Sequence, residues 1–243
     1  MNDKYDEFLE RVKKDWHSIE CAGSYANNVD IAMAAVEQNG LALRYAGPKV
    51  KDTLSVVLTA VKNKGLALQY ASETMRSNRL VVLMAVRQDG RAIKYASDWL
   101  KADTSIMMEA VKNDGTAIEV LEEDCCAEHR HNKQLILLAI KTNPNAIGYA
   151  DFELKHDYEF MKKAYLTNPE IVDAFTLRSR ERTFLKRDVF NRMVEEGVVP
   201  FYELVNTDEY ELIKQAEDER TVPKNDEDDA RFRQMRKDAC QTQ

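Results

Sequence analysis

The chain is poor in the residues from which reactive sites are built. It holds four cysteines, four histidines, eight glycines and five prolines in 243 residues. Cys21, Cys125, Cys126 and Cys240 are not spaced like a disulfide framework, so the expected setting is a reducing compartment such as the cytoplasm. No run approaches the roughly 18 apolar residues of a membrane span, so no membrane partner is expected. The opening stretch, MNDKYDEFLERVKKDW, has acids in its first turn, which suits neither a secretory signal nor a transit peptide. There is no excess of positive charge: 35 basic against 42 acidic residues give a net −7, which disfavours nucleic acid and anionic membranes as general partners. The glycines form no P-loop, no GxGxxG and no GxSxG, and His17 and His156 have no nucleophile tied to them by sequence. The expectation is a protein that is not an enzyme, with no catalytic residues, no metal and no cofactor.

What the chain does have is repetition. AVKNKGLALQYAS (60–72) returns upstream as AVEQNGLALRYAG (35–47) and downstream as AVRQDGRAIKYAS (85–97). Aligned on the second residue of the AV pair, the anchors are Val36, Val61, Val86, Val111, Ile140 and Tyr165, spaced by 25, 25, 25, 29 and 25 residues. Eight positions before each anchor stand Asn28, Thr53, Asn78, Asp103, Asn132 and Asp157, all suited to cap a helix start. Apolar residues at fixed offsets then predict a helix of about ten residues, apolar around most of its girth. Three positions after the anchor, Asn39, Lys64, Asp89, Asp114, Asn143 and Asn168 each precede Gly or Pro. Proline cannot take positive φ, so this pair reads as the cap and first residue of a second helix rather than a left-handed helix stop. Lys64 should be the weak cap, by roughly 1 kcal/mol. The second helix carries Ala42, Leu43, Tyr45 and Ala46 and their copies, and should close on the next unit through Val50, Met75, Leu100, Cys125 and Leu154.

A unit of about 25 residues cannot bury its own apolar faces, so units must stack. The expectation is an all-α fold, an α-solenoid of two-helix repeats with an irregular helical C-terminal cap. Residues 1–27 read as an N-terminal capping unit, 28–182 as the array, 183–220 as C-terminal capping helices and 221–243 as a charged tail. Within the cap, 183–196 reads as an amphipathic helix ended by Gly197. The last copy carries Lys162 and Lys163 where core residues are expected.

The repeats AVKNKGLALQYAS and AVRQDGRAIKYAS resemble an uncharacterised tandem helical repeat family, domain of unknown function 4116, over about residues 28–165. The copy at Val111 departs from the pattern, with Val120-Leu121 in place of Tyr-Ala, and the last copy has Ala174-Phe175 there. The resemblance implies a tandem-repeat protein and no reaction.

Two features stand outside the packing pattern. The residue after the anchor is basic in four consecutive units, Lys62, Arg87, Lys112 and Lys141. Stacking would set these in a row with rungs about 10 Å apart. It is read as a partner-binding stripe, or as bases that complement the helix dipole. The insertion DCCAEHRH (124–131) holds Cys125, Cys126, His129 and His131 in no familiar zinc spacing. Cys125 falls on a core offset, and the histidines read as residues of an exposed loop. The functional expectation is a non-catalytic scaffold for protein–protein interaction. The alternatives are a structural subunit of a larger assembly, an enzyme centred on the insertion, and an RNA-binding solenoid. The last is disfavoured because the repeated tyrosines read as core residues.

Overall fold

The computed structural model describes residues 3–171, 192–193 and 196–198. The expected tail, and all of the expected C-terminal cap except the last two of these segments, lie outside the described residues. The chain divides into two compact units, Met1–Leu154 and Lys155–Gln243. No strand occurs among the described residues.

The first compact unit is an all-α solenoid. Its long helices are α1 (Asp3–Lys14), α2 (Val29–Gln38), α3 (Leu54–Asn63), α4 (Arg79–Gln88), α5 (Thr104–Asn113) and α6 (Lys133–Ile140). They lie side by side, α1 on α2 through to α5 on α6. The expected caps form at α2, α4, α5 and α6, where Asn28, Asn78, Asp103 and Asn132 accept from the first-turn N–H groups. Thr53 does not cap α3; its hydroxyl instead donates 2.9 Å back to the carbonyl of Lys49.

The second helix of each unit departs from expectation. Gly40–Tyr45, Gly65–Tyr70, Gly90–Tyr95 and Pro144–Tyr149 are six-residue 3₁₀ helices, each ended by one extended alanine. One-turn α-helices follow, among them Pro48–Lys51, Glu73–Arg76 and Asp98–Lys101. The reason lies in the spacing of GxALxYA. Gly40, Leu43 and Ala46 are all buried and stand three apart, while Arg44 is exposed. A helix of three residues per turn stacks positions i and i+3 in one row. An α-helix, at 3.6, would turn each successive one by about 60°, spreading the row over about a third of its circumference. Runs of six are long for this geometry, and here Gly40–Tyr45, Gly65–Tyr70 and Gly90–Tyr95 are each held against two α-helices. The 3₁₀ helices pack on one another as a second layer, and each α-helix from α3 to α5 touches both its own 3₁₀ helix and the preceding one.

The cap reading of the second helix holds. Asn39, Asp89, Asp114 and Asn143 accept from the N–H two residues on, and Lys64 offers nothing. None of the repeat glycines has positive φ; among the described residues only Gly23 and Gly197 do. The repeat glycines answer to space instead. A Cβ on Gly40, Gly65 or Gly90 would lie 2.2–2.4 Å from the carbonyl oxygen of Ala60, Ala85 or Ala110 in the next α-helix. The first unit keeps the same grammar: Asp15 caps a 3₁₀ helix, Trp16–Cys21, and Phe8, Val12 and Ile19 are buried.

The irregular copy does not interrupt the stack. Its 3₁₀ helix lengthens to Gly115–Glu122, with Val120 and Leu121 buried in place of Tyr and Ala, and a second 3₁₀ run, Asp124–His131, takes the place of the one-turn helix. The two extra residues shift the register, so Cys126 is the fully buried cysteine and Cys125 only half-buried.

In the second compact unit, α7 (Tyr158–Thr167) is capped by Asp157 and buries Phe160, Met161, Ala164 and Tyr165. Lys162 and Lys163 do not replace core residues. They fall at offsets that face outward in every copy, Lys162 half-buried and Lys163 exposed. Tyr158, Lys162 and Arg192 all bond to Glu196. Gly197 has φ +68° and the N–H of Val198 reaches the carbonyl of Met193 at 2.8 Å, the expected glycine stop of a helix.

Candidate interaction surface

Each α-helix of the array turns four residues inward, at offsets −5, −4, −1 and 0 from the anchor. In α3 these are Val56, Val57, Ala60 and Val61, none with any exposure. At about 100° per residue, offsets −6, −3, −2 and +1 then share the opposite face. The expected basic row sits on this face. Lys62, Arg87, Lys112 and Lys141 are all exposed, at the C-terminal ends of α3, α4, α5 and α6. Arg87 is partly engaged, its Nε 3.0 Å from Oε2 of Glu109 on α5. No ion pair among the described residues engages Lys62, Lys112 or Lys141.

The backbone beneath the row is fixed by a device that sequence reasoning missed. The residue at offset +2 bonds to the unit before it. Asn63 Oδ1 accepts from the N–H of Gly40 at 2.9 Å, and its Nδ2 donates to the carbonyl of Glu37 at 3.1 Å. Asn113 repeats this with Gly90 at 2.8 Å and Arg87 at 2.9 Å. Gln88 accepts from the N–H of Gly65. Two orphan backbone groups, one at a helix end and one at a helix start, are satisfied by one amide. The alternation Gln38, Asn63, Gln88, Asn113 was the available signal. A second tie runs along the backbone, where Ser72 N–H donates to Lys51 O (2.9 Å) and Ser97 N–H to Arg76 O (3.1 Å).

The N-terminal end of the face is ordered by Asp103. It caps α5, and Arg79 of α4 reaches both its carboxylate and the hydroxyl of Ser105. Partial burial raises the Asp103 carboxyl, but the hydrogen bonds from Ser105 and Arg79 outweigh it, and the pKa falls to about 2.

The insertion does not assemble its four ligand-type residues. Cys125 lies beside Cys126, the two free thiols hydrogen-bonded at 3.4 Å and not joined as a disulfide. Burial, and then the hydrogen bond with Cys125, push the Cys126 thiol up to about 12. His129 is buried rather than looped out, its Nε2 3.1 Å from the carbonyl of Lys101. His131 turns away to Asp151. Two groups of ligand-capable atoms do converge, Asp98 with Glu123 and Cys125, and His131 with Asp151 and Glu153. Both have evident structural work. Burial lowers Lys101, but the hydrogen bond and charge of Glu123, at 2.5 Å, more than offset it, so the ammonium stays charged. Asp151 accepts from the N–H of Leu154 at 2.7 Å. The repeated tyrosines are half-buried rather than core, with Arg44 and Lys94 over the rings of Tyr45 and Tyr95 at 5.7 and 4.9 Å.

An array of capped α-helices alternating with 3₁₀ helices, tied by amides across a 25-residue step, defines a tandem helical repeat protein. The chain belongs to the family described as domain of unknown function (DUF4116), whose model matches residues 7–51, 53–98, 78–124 and 132–175. Each match spans close to two of the 25-residue steps, and the first takes in the N-terminal unit, beyond the expected 28–165. No curated protein and no solved structure is detectably similar to the chain.

Proposed function

We propose that the chain is a non-catalytic scaffold that binds another protein through its repeat array. One observation carries the reading: most of what recurs is spent on packing, while the outer surface keeps a recurrent basic row and an offset that changes charge from unit to unit. Gly, Ala, the AV pair, the caps and the amide ties hold unit to unit. Arg44, Gln69, Lys94 and Glu119 share one offset, change charge along the array, and are exposed or half-exposed. A stacked array in which outward positions can change without disturbing the core is a general solution to macromolecular recognition. The stripe Lys62, Arg87, Lys112 and Lys141 is the part of that surface we assign to the partner. The unpaired thiols of Cys21, Cys125 and Cys126 support a reducing, cytoplasmic setting. No helix among the described residues is long and apolar enough to cross a membrane. Affinity capture from the native cell, with the full chain as bait and in parallel the chain lacking residues 221–243, tests the proposal. A stoichiometric protein partner retained by both baits is the expected result. Recovery of nothing above the bead background overturns it.

A further inference from the structure

The outward face of α3–α6 is not an ordinary solvated surface. Between adjacent helices it carries a recessed apolar belt, in which Leu58, Leu83, Met84, Met108, Leu137 and Leu138 are all half-buried. Beside the belt, toward the helix N-terminus, Leu80 at offset −6 stands 52% exposed. Along its other edge runs the basic row. Helices α3–α6, with Lys141 at the end of α6, hold six basic residues and one acidic residue, Glu109, in a chain whose net charge is −7. Glu109 is already turned to Arg87. Four of these six, the row at offset +1, stand on the face that also holds the apolar belt, whereas Arg79 and Lys133 stand at offset −7, outside it. No aromatic residue occurs on these four helices.

Each feature narrows the occupant. Apolar side chains recessed between helices accept knobs from an incoming segment, and the methionines let that fit adapt. A basic edge beside them favours carboxylates by charge complementarity. Single-stranded RNA would need aromatic platforms for its bases, and the face has none. A membrane-inserting face would hold its apolar residues proud of the surface with interfacial aromatics; here most are recessed.

We propose that the outward face of α3–α6 binds an acidic amphipathic segment of a protein partner, its apolar side chains seated in the Leu58–Leu138 belt and its carboxylates along Lys62, Arg87, Lys112 and Lys141. The proposal rests on the scaffold reading and gives it a partner class. The test is fluorescence anisotropy on the full chain with a labelled 20-residue peptide of glutamates with leucines at helical spacing. The controls are its lysine counterpart and a scrambled sequence of equal composition. The acidic peptide binds; the lysine peptide does not, and the scramble binds at least tenfold more weakly. The triple variant K62E/R87E/K112E, all exposed positions, weakens binding tenfold or more, and Leu80→Glu does so without loss of helicity. Equal binding of acidic and lysine peptides, no binding of either, or an unchanged affinity in the triple variant overturns the proposal. So does tighter binding of a 30-nucleotide oligouridine or of phosphatidylserine vesicles than of the acidic peptide. A captured partner that still binds the triple variant sinks this inference while leaving the scaffold reading intact. Capture of no partner sinks the scaffold reading itself.

Discussion

Gly90 is glycine for want of room, not for freedom of rotation. Its φ is not positive, and a Cβ there would sit 2.2 Å from the carbonyl oxygen of Ala110 and 3.0 Å from Cβ of Asp114. Neither neighbour can yield, since one is backbone and the other belongs to the next cap. Gly90→Ala should therefore cost about 1–3 kcal/mol, the range for forced overpacking, despite the few tenths gained from a stiffer unfolded chain. A urea midpoint equal to that of the unaltered protein would refute the steric account. Lys64 offers the opposite experiment. It stands where Asn39 accepts from the N–H of Leu41 at 3.1 Å, and it leaves the N–H of Leu66 without a cap. Lys64→Asn should add about 1 kcal/mol, read as a higher urea midpoint at an unchanged slope. The weak cap at Lys64 was legible in the sequence because capping is local. The role of the glycines was not, because what excludes a side chain is a carbonyl some twenty residues away. The amide ties of Asn63 and Asn113 escaped for the same reason: the groups they satisfy belong to a different unit.

At the scale of elements, the starts of α2–α6 were legible from cap position and apolar period, although Thr53 makes no cap and α6 has eight residues rather than about ten. The second helix was misread as α, although its buried residues recur every three positions. The period was visible; what hid the geometry is that 3₁₀ runs of six are rare outside such a sandwich of packed helices. The insertion was read one residue out of register at the cysteines, because the added 3₁₀ turn cannot be counted from composition. Helix α5 carries the pH prediction. Asp103 caps it and draws in Arg79 from α4, and its pKa of about 2 lies below the ordinary aspartate value of about 3.9. A depressed carboxylate stabilises the fold above its unfolded pKa and loses that contribution as pH falls through its folded pKa. Stability should drop between about pH 4 and pH 2. Asp103→Asn, which keeps a cap but not a charge, should flatten that part of the profile by lowering stability at pH 7 toward the acid value, with the two proteins converging near pH 2. Parallel acid limbs for the two proteins, followed by urea unfolding at each pH, would remove Asp103 from the acid response.

For the whole molecule the open quantity is how far one disturbance travels. Solenoid stability is a sum of unit and nearest-neighbour terms, so a stack can melt as one body or fray by units. In the first compact unit the neighbour terms are dense. Each step adds α-on-α packing and 3₁₀-on-3₁₀ packing, amide ties cross several steps, and backbone bonds run from one unit to the next. Such coupling predicts a single cooperative transition across α1–α6. Leu68, with no exposure, lies on the 3₁₀ helix between α3 and α4 and reports on one side of that unit. Cys126, buried with its thiol held up near 12, reports on the other and should resist alkylation at neutral pH while folded. Leu68→Asp buries a charge without a partner, which is enough to unfold the units around it. If coupling dominates, helicity collapses in this variant and Cys126 alkylates as fast as in urea, although it is more than two steps along the chain. Mass mapping of the labelled peptide gives the answer without interference from Cys21 or Cys240. A Leu68→Asp protein that loses part of its helicity yet keeps Cys126 protected would show units that fold independently, with the Cys126 end of the array standing on its own neighbours.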